Sequence, residues 1–520
     1  MGQLLGVMAN PAETLRQLNE SREMLRKAKE DMELSHEAKK IPPKHTFSKL
    51  PGFHGRETEK ALLRRILSNT PKMTVVFGAT SVGKTALLRE VLASDDFYVI
   101  KFDLRISGFA DLRTLYLSLC DQFERFFQEM NDEEMNKCML TFKHTKLEFL
   151  KNERPKDGVP GYKITVADLA SLMESLQSCL LKYWEYEPSC SQERAESRNG
   201  GYSKAKVGLR SRQVDAIQSS VTQSPTPTKP DEPPPFQKRP IIFLMDEAHK
   251  LPALVPDPFS LKVFLDTLLV LTKQDRLCHV ILATSDSFFQ HFLRKMNVGH
   301  HSQILTIGDC SKEETLSYFL STIVPSLPDG LQSKLDFDVL YDAFGGKLAH
   351  INDYVSTWTT HQGALPIFQS PIFIQAYTLL QFHLTRPAFE TYSPLSTATS
   401  GAQSDDDAAK FSHENLLHVM RKMTTWPYSL PYFELCREIG TDAVDSLVQT
   451  RILELRWTRS VSVEEEGAER AWDEGGVARP VVLPMTRIVR RAMEVVLREV
   501  DARGEEGMGK QTMSVEGESR

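Results

Sequence analysis

Cysteine is scarce in this 520-residue sequence, and no disulfide framework can be built from it. The seven cysteines are scattered singly and include no C-x-x-C pair, which excludes a disulfide-stapled fold and a zinc site of paired thiolates. The N-terminus also lacks the basic segment and apolar stretch of a secretory signal. These absences predict an intracellular protein with reduced thiols, with the cytoplasm as the first expectation and the nucleus as the alternative.

Long apolar runs and a strong charge imbalance are missing as well. No segment approaches the roughly 18 apolar residues of a membrane span, so we expect none. The net charge is only −6, which argues against attraction of the whole chain to nucleic acid. Any contact with DNA or with a membrane surface would therefore be local.

Polar stretches divide the chain into units. The segment at 188–239 is rich in Ser, Gln, Pro and Lys, and such a composition predicts a disordered insertion. Similar breaks occur at 391–411, at 462–479 and at 501–520. We therefore predict a charged N-terminal helix in 1–50, a core at 51–310, a helical unit at 311–390, a linker at 391–411, a C-terminal domain at 412–500 and a disordered tail at 501–520.

The core alternates short apolar runs with amphipathic segments, which predicts an α/β fold with a parallel sheet covered on both faces. The expected strands are Met73–Phe77, Phe97–Asp103, Ile241–Met245, His279–Ala283 and Gln303–Ile307. Beyond Cys310 the pattern becomes helical: the segment that starts at Ser311 predicts a capping box, and helices are expected at 311–324, 331–344, 346–360 and 370–384.

One loop in this core matches the phosphate-binding pattern G-x-x-x-x-G-K-[ST] at every fixed position. Its glycines would let backbone amides surround the phosphates, Lys84 would reach the β- and γ-phosphates, and the Thr85 hydroxyl would ligate Mg²⁺. The pattern predicts a site for ATP and Mg²⁺ formed by Gly78, Ala79, Thr80, Ser81, Val82, Gly83, Lys84, Thr85 and Ala86.

A pair of acids follows the third expected strand. Asp246 would hold Mg²⁺, and Glu247 would orient or deprotonate the attacking water. Residues 246–249 also spell the DEAH tetrapeptide of a helicase class. Those enzymes need a second domain with a Gln/Arg-rich motif, and nothing after residue 250 resembles it, so we do not adopt that interpretation.

Polar residues also follow the fourth expected strand, at Thr284, Ser285 and Asp286. Such a side chain, with Ser285 as the candidate, could contact the γ-phosphate or the attacking water. Capping of the next helix by Ser285 or Asp286 explains the pattern equally well.

The segment Gly52–Glu59 (GFHGRETE) resembles the hhGRExE motif that precedes the phosphate loop in the STAND class of signal-transduction ATPases. From 51 to about 360 the chain resembles the archaeal-type ATPases of that class, which are relatives of AAA+ proteins. The resemblance implies a nucleotide-binding role for Arg56 or its backbone, and a helical lid at 311–390. The lid motif GGxP is replaced here by Gly345-Gly346-Lys347-Leu348.

The resemblance leaves the cation that would sense the γ-phosphate unassigned. Archaeal-type members often carry Gly-Arg before the fifth strand, where this chain has Gly299-His300-His301. Arg294 and Lys295 are the nearest basic candidates, and solvated helix charge is the alternative explanation for both.

The C-terminal unit shows helices, a strand, a polar wing, a second strand and a last helix, an order that resembles a winged helix. Its third helix carries Asp442 and Asp445 against one Arg, so it lacks the basic surface of a groove reader. Specific DNA binding is therefore not expected. The last helix is partly basic, through Arg487, Arg490, Arg491 and Arg498.

These features predict a P-loop NTPase of STAND/AAA+-like type that binds and hydrolyses ATP as a molecular switch or an assembly factor. Two alternatives remain: a DNA-associated AAA+ ATPase resembling origin-recognition proteins, and a nucleotide-dependent scaffold with little turnover. The expected partner is an unidentified protein or a second copy of the chain.

Overall fold

The computed structural model describes the chain in eleven stretches, with side chains described as far as residue 502. Most of the predicted insertion and linker, and much of the first 50 residues, lie outside them. The described residues are 19–27, 48–50, 52–94, 96–105, 111–130, 132–153, 162–185, 238–255, 257–385, 410–461 and 479–516.

Five strands form one sheet in the order β2-β3-β4-β1-β5, and every pairing is parallel, which confirms the predicted α/β sheet. The three inner strands are fully buried because both faces are covered, as their unbroken apolar sequences predict. The strands are β1 (Met73–Phe77), β2 (Tyr98–Asp103), β3 (Ile241–Asp246), β4 (His279–Thr284) and β5 (Ser302–Thr306).

Each strand sends alternate side chains to opposite faces of the sheet. In β3, Ile242 and Leu244 join the apolar cluster shared with α1, α2 and the later helical units. Phe243 and Met245 join a second cluster with α3 to α6. The core helices are α1 (Glu57–Leu67), α2 (Lys84–Leu92), α3 (Leu112–Glu129), α4 (Glu133–Asn152), α5 (Val166–Glu185), α6 (Pro258–Leu269) and α7 (Phe289–Lys295).

Helix α4 was not anticipated from the sequence. It begins after Asp132, whose carboxylate accepts hydrogen bonds from two amides of the first turn. Phe142 then packs on Phe123 of α3 with ring centroids 5.1 Å apart. Part of the long segment between β2 and β3 is thus an ordered helical layer.

The helical unit predicted to be a lid, and called the lid below, contains α8 (Lys312–Tyr318), α9 (Phe337–Phe344), α10 (Leu348–Thr360) and α11 (Pro371–Thr385). The capping box predicted at Ser311 is confirmed. The Ser311 hydroxyl accepts from the Glu314 amide, and the Glu314 carboxylate accepts from the Ser311 amide. The helix expected over 331–344 begins only at Phe337, since Asp336 caps it there.

The C-terminal unit has a three-stranded antiparallel sheet in the order β6-β8-β7. Its element order is the one on which the winged-helix prediction was based, and that assignment stays a prediction. The elements are α12 (His413–Met423), β6 (Leu430–Pro431), α13 (Tyr432–Ile439), α14 (Thr441–Gln449), β7 (Leu453–Arg456), β8 (Val481–Pro484) and α15 (Arg487–Glu516).

The tail expected to be disordered at 501–520 is instead helical as far as Glu516, because α15 continues through it. The segment contains no proline, and its four glutamates tolerate a helix well, although it also holds four glycines, which disfavour one. Its polarity was therefore a poor guide to where the helix ends.

Two other properties expected from composition can be examined in the described part of the chain. The six described cysteines are free thiols and five of them are buried, while Cys190 lies outside the described residues. Among the described helices, none combines the length and apolarity needed to cross a bilayer.

Candidate nucleotide-binding site

The strand register brings the predicted site residues to one edge of the sheet. Phe77, the last residue of β1, pairs with Thr284 of β4 and Thr306 of β5, while Asp103 pairs with Asp246. The loops that leave these strands therefore begin at the same level. This carboxyl edge is where open α/β sheets bind their ligands.

The phosphate loop depends on its two glycines. A Cβ at Gly78 would lie 2.4 Å from the Ile307 carbonyl oxygen, so no larger residue fits there. Gly83 has φ +90°, a conformation that glycine adopts without strain, and α2 begins at the next residue. The loop thus ends on the N-terminus of a helix, where unpaired amides favour an anion.

The Lys84 ammonium is buried inside this loop. Its Nζ donates to the carbonyl oxygens of Gly78 and Ala79, each at 2.8 Å. Burial lowers the pKa of Lys84 to about 8, although the Glu247 and Asp246 carboxylates act in the opposite direction. A buried cation whose direct partners are neutral carbonyls is suited to a strong anion such as a phosphate.

The two residues predicted to hold magnesium lie together. The Thr85 hydroxyl donates to Oδ2 of Asp246 at 2.8 Å, and Asp246 is almost fully buried. Carboxylate and hydroxyl oxygens are the ligand types that Mg²⁺ takes beside nucleotide phosphates, so these residues fit the ion. Arg105, which the sequence did not single out, also bonds Asp246 at 3.1 Å and pairs with Asp103.

Glu247 is connected to β4 through His249. His249 Nε2 lies 3.5 Å from Glu247 Oε2, and its Nδ1 is 3.2 Å from the Thr284 hydroxyl. Burial lowers the pKa of His249 to about 3, so the ring is neutral and carries one N–H. Since the Thr284 oxygen already accepts from the Asp286 amide, its hydrogen can go to Nδ1, and the N–H would then be on Nε2, the ring nitrogen nearer to Glu247.

Glu247 itself has a left-handed backbone, with φ 58°. A glutamate in this region is strained by about 1 kcal/mol or more, and such strain concentrates at functional sites. The side chain is 17% exposed, which leaves it accessible from the edge of the sheet.

A contact of the Ser285 side chain with the γ-phosphate or the attacking water stays a prediction. Ser285 is buried, its carbonyl oxygen accepts from Arg451 at 2.9 Å, and it lines a small cavity under the C-terminal unit. At the end of β4, the polar residue that contacts His249 is Thr284. The Asp286 carboxylate accepts from the Phe288 amide, so it caps the turn before α7, as the alternative explanation allowed.

Arg56 is buried behind the phosphate loop. Its guanidinium pairs with Glu59 and donates to the carbonyl oxygens of Val82 at 2.7 Å and Gly308 at 2.9 Å. These bonds tie the segment before α1 to the loop and to the chain after β5. Arg56 therefore supports the phosphate loop, and its contact with nucleotide stays a prediction.

Lys347 of the lid also reaches the phosphate loop. Its side chain is 1% exposed, Nζ donates to the Thr80 carbonyl oxygen at 3.1 Å, and Asp309 Oδ1 lies 4.0 Å away. Gly346 allows this approach, because a Cβ there would fall 1.8 Å from the Cys310 carbonyl oxygen. The sequence marked this position only as a departure from GGxP.

The predicted γ-phosphate sensors Arg294 and Lys295 are both exposed. The Arg294 guanidinium lies over the Trp457 ring, 5.6 Å from its centroid, and so packs against the C-terminal unit. A role for either residue at the phosphates stays a prediction.

Most arginines of the predicted basic face of α15 contact other residues of the same chain. Arg487 lies over the Tyr341 ring of the lid at 4.7 Å, and Arg491 pairs with Asp342. Arg490 lies over the Tyr428 ring at 4.0 Å. Arg498 is the most exposed of the four and sits 3.9 Å from Glu494.

Comparisons with known proteins agree with a nucleotide site. No protein-family model matches the chain. Two uncharacterized ATP-binding proteins of Methanocaldococcus jannaschii are 23% and 22% identical to it. The first alignment covers 57% of this chain and 70% of the relative, and the second covers 58% and 68%.

Three solved structures are also similar. A Walker-type ATPase of Pyrococcus abyssi is 13% identical with TM-score 0.45, over 86% of this chain and 97% of that one. The ORC2 protein of Aeropyrum pernix, in its ADP form, is 10% identical with TM-score 0.34, over 88% and 97%. A STAND protein with a tetratricopeptide repeat sensor from Pyrococcus horikoshii is 12% identical with TM-score 0.29, over 88% and 44%.

These TM-scores are too low to carry an argument, so the fold assignment is based on the sheet and loops of this chain itself. A parallel sheet, a phosphate loop after β1 and an acid pair after β3 together make a P-loop NTPase fold.

Proposed function

We propose that the chain is an ATP-binding and ATP-hydrolysing molecular switch or assembly factor in which the nucleotide controls docking of the C-terminal unit. The observation that carries this proposal is direct bonding of that unit to the nucleotide-binding edge. Arg451 donates to the Ser285 carbonyl oxygen, and Trp457 Nε1 donates to the Ser287 carbonyl oxygen at 2.8 Å. Any change in the loop after β4 would therefore reach the C-terminal unit.

A second set of bonds continues this interface along β5. The hydroxyls of Thr306 and Thr458 are 2.6 Å apart, and the Val461 amide donates to the Thr306 carbonyl oxygen at 2.9 Å. The segment after β7 thus lies beside the end of an edge strand, in a short parallel bridge between Thr306 and Ser460. An edge strand offers unpaired backbone groups, so such a contact can form and separate without disturbing the sheet.

The proposed reaction assigns a separate role to each residue of the site. Mg²⁺, when bound, would neutralise charge on the β- and γ-phosphates. Thr85 and Asp246 would hold it, and Lys84 would bind the phosphates. Glu247 would accept the proton of the attacking water, and the neutral His249 would fix the direction of that carboxylate through its N–H.

Titration with a fluorescent ATP analogue tests the binding part of this proposal. Lys84→Ala removes the buried ammonium, so affinity should fall by about tenfold or more, because charge-assisted hydrogen bonds contribute about 1.5–3 kcal/mol. Lys334→Ala, an exposed lysine of the lid, is the matched control and should bind like the parent. Identical titration curves for Lys84→Ala and the parent would contradict a working phosphate loop.

The DNA-associated alternative gains no support from the surface of the last helix. Three of its arginines, Arg487, Arg490 and Arg491, contact rings or carboxylates of the same chain. Binding of duplex DNA would have to compete with those contacts.

A further inference from the structure

One carboxylate of the C-terminal unit is buried at the nucleotide-binding edge without full compensation. Glu454, in β7, is 3% exposed. Its Oε2 pairs with Arg456 at 3.1 Å, but no donor from the described residues reaches Oε1. A buried carboxylate oxygen that lacks a hydrogen bond costs free energy, so its position needs an explanation.

The surroundings of Glu454 lie next to the phosphate loop. Glu454 lines the same cavity as Ser285, Asp286 and Ser287, at the carboxyl end of β4. Strand β4 pairs with β1, which leads into the phosphate loop, and with β3, which ends in Asp246. The Glu454 carboxylate therefore lies near the region in which we expect the terminal phosphate of a bound nucleotide.

Electrostatics agree with this placement. Burial dominates the lowered pKa of Lys84, and Glu454 is one of the three carboxylates that act to raise it. Two arginines near Glu454 in the chain are already engaged with carboxylates. Arg456 holds Glu454 itself, and Arg451 lies 3.9 Å from Asp286 while it bonds Ser285.

We infer that Glu454 discriminates between ADP and ATP: in the docked arrangement its buried carboxylate tolerates ADP and repels the added γ-phosphate. Like charges interact strongly where water is excluded, and a docked β7 excludes it. ATP binding and docking of β7 would then oppose each other, and by linkage each weakens the other to the same extent. This inference rests on the proposed function, since it requires nucleotide at the phosphate loop.

Glu454→Gln tests the inference, because it keeps the shape of the side chain and removes its charge. We expect the ratio of the dissociation constants for a non-hydrolysable ATP analogue and ADP to fall about tenfold, equivalent to about 1.4 kcal/mol. The gain should come from tighter ATP-analogue binding, with ADP affinity within about twofold of the parent. Glu434→Gln, an exposed glutamate of the same unit paired with Arg479, is the matched control.

A measurement on the unaltered chain covers the case in which the variant does not fold. The amides of Leu455 and Val461 are bonded to Ser287 and Thr306 across the interface. Their hydrogen exchange should be faster with the ATP analogue than with ADP, both at saturation. An unchanged affinity ratio in a folded Glu454→Gln would overturn this inference alone, whereas equal exchange with both nucleotides would overturn it together with nucleotide-controlled docking. If the parent binds neither nucleotide, the proposed function fails, and the inference fails with it.

Discussion

Binding of ATP should weaken as the pH rises above about 8, because Lys84 is buried and its pKa in the free protein is about 8. Below that pH the ammonium is present before the nucleotide arrives. Above it, most molecules have lost the proton and must take it up on binding, since the phosphates favour the charged form and raise the pKa of Lys84 in the complex.

The size of the effect follows from the protonated fraction. With a pKa of about 8, roughly three quarters of Lys84 is protonated at pH 7.5 and roughly one tenth at pH 9. Affinity should therefore fall about eightfold between these values if the pKa in the complex lies near or above 10.5. The nucleotide contributes little to this window, because the last phosphate proton leaves near pH 6.

Isothermal titration calorimetry can count the proton directly. At pH 8.5, in two buffers of different ionisation enthalpy, the parent should take up about 0.8 proton per ATP bound. Lys84→Arg is the matched control, because a guanidinium keeps its proton throughout and its affinity should not vary with pH. A parent that binds ATP without proton uptake and with constant affinity across this range would refute the assignment of the buried ammonium to the phosphates.

Further predictions concern turnover, the lid and DNA. Glu247→Gln should leave ATP bound while phosphate release falls by about 10²-fold or more; equal release rates would exclude Glu247 as the base, and a parent no faster than Lys84→Ala would favour the scaffold. Gly346→Ala should lower the melting temperature by several degrees, because its Cβ has no space, whereas Gly330→Ala, with open surroundings, should not. In fluorescence anisotropy, duplex DNA should bind weakly and lose its affinity near physiological salt; tight binding that Arg490→Glu/Arg491→Glu abolishes would support the DNA-associated alternative.

The sequence was a good guide to the sheet because its inner strands are short, largely apolar and bounded by turns. Such strands are buried on both faces, and their ends had to meet at one edge. The pairing of Thr85 with Asp246 follows from that register. Helix α4 was not predicted, because the most distinctive feature of the long segment before β3 is its polar stretch at 188–239.

The contacts between units could not be predicted. Lys347 and Glu454 each belong to a unit far along the chain from the phosphate loop, and their positions depend on how the lid and the C-terminal unit pack. A lysine after two glycines and a glutamate in a short strand carry no local signal for such roles. The contact between Thr284 and the buried ring of His249 likewise has no local signal in the sequence.

The central claim is that nucleotide controls docking of the C-terminal unit, and a disulfide trap at Thr306 and Thr458 tests it most directly. Their hydroxyls are 2.6 Å apart, so Thr306→Cys/Thr458→Cys should form a disulfide readily while the unit is docked. We predict rapid crosslinking with ADP and crosslinking slowed about tenfold by a saturating non-hydrolysable ATP analogue, with no such difference in a Lys84→Ala background. Equal crosslinking rates with both nucleotides bound would contradict the account.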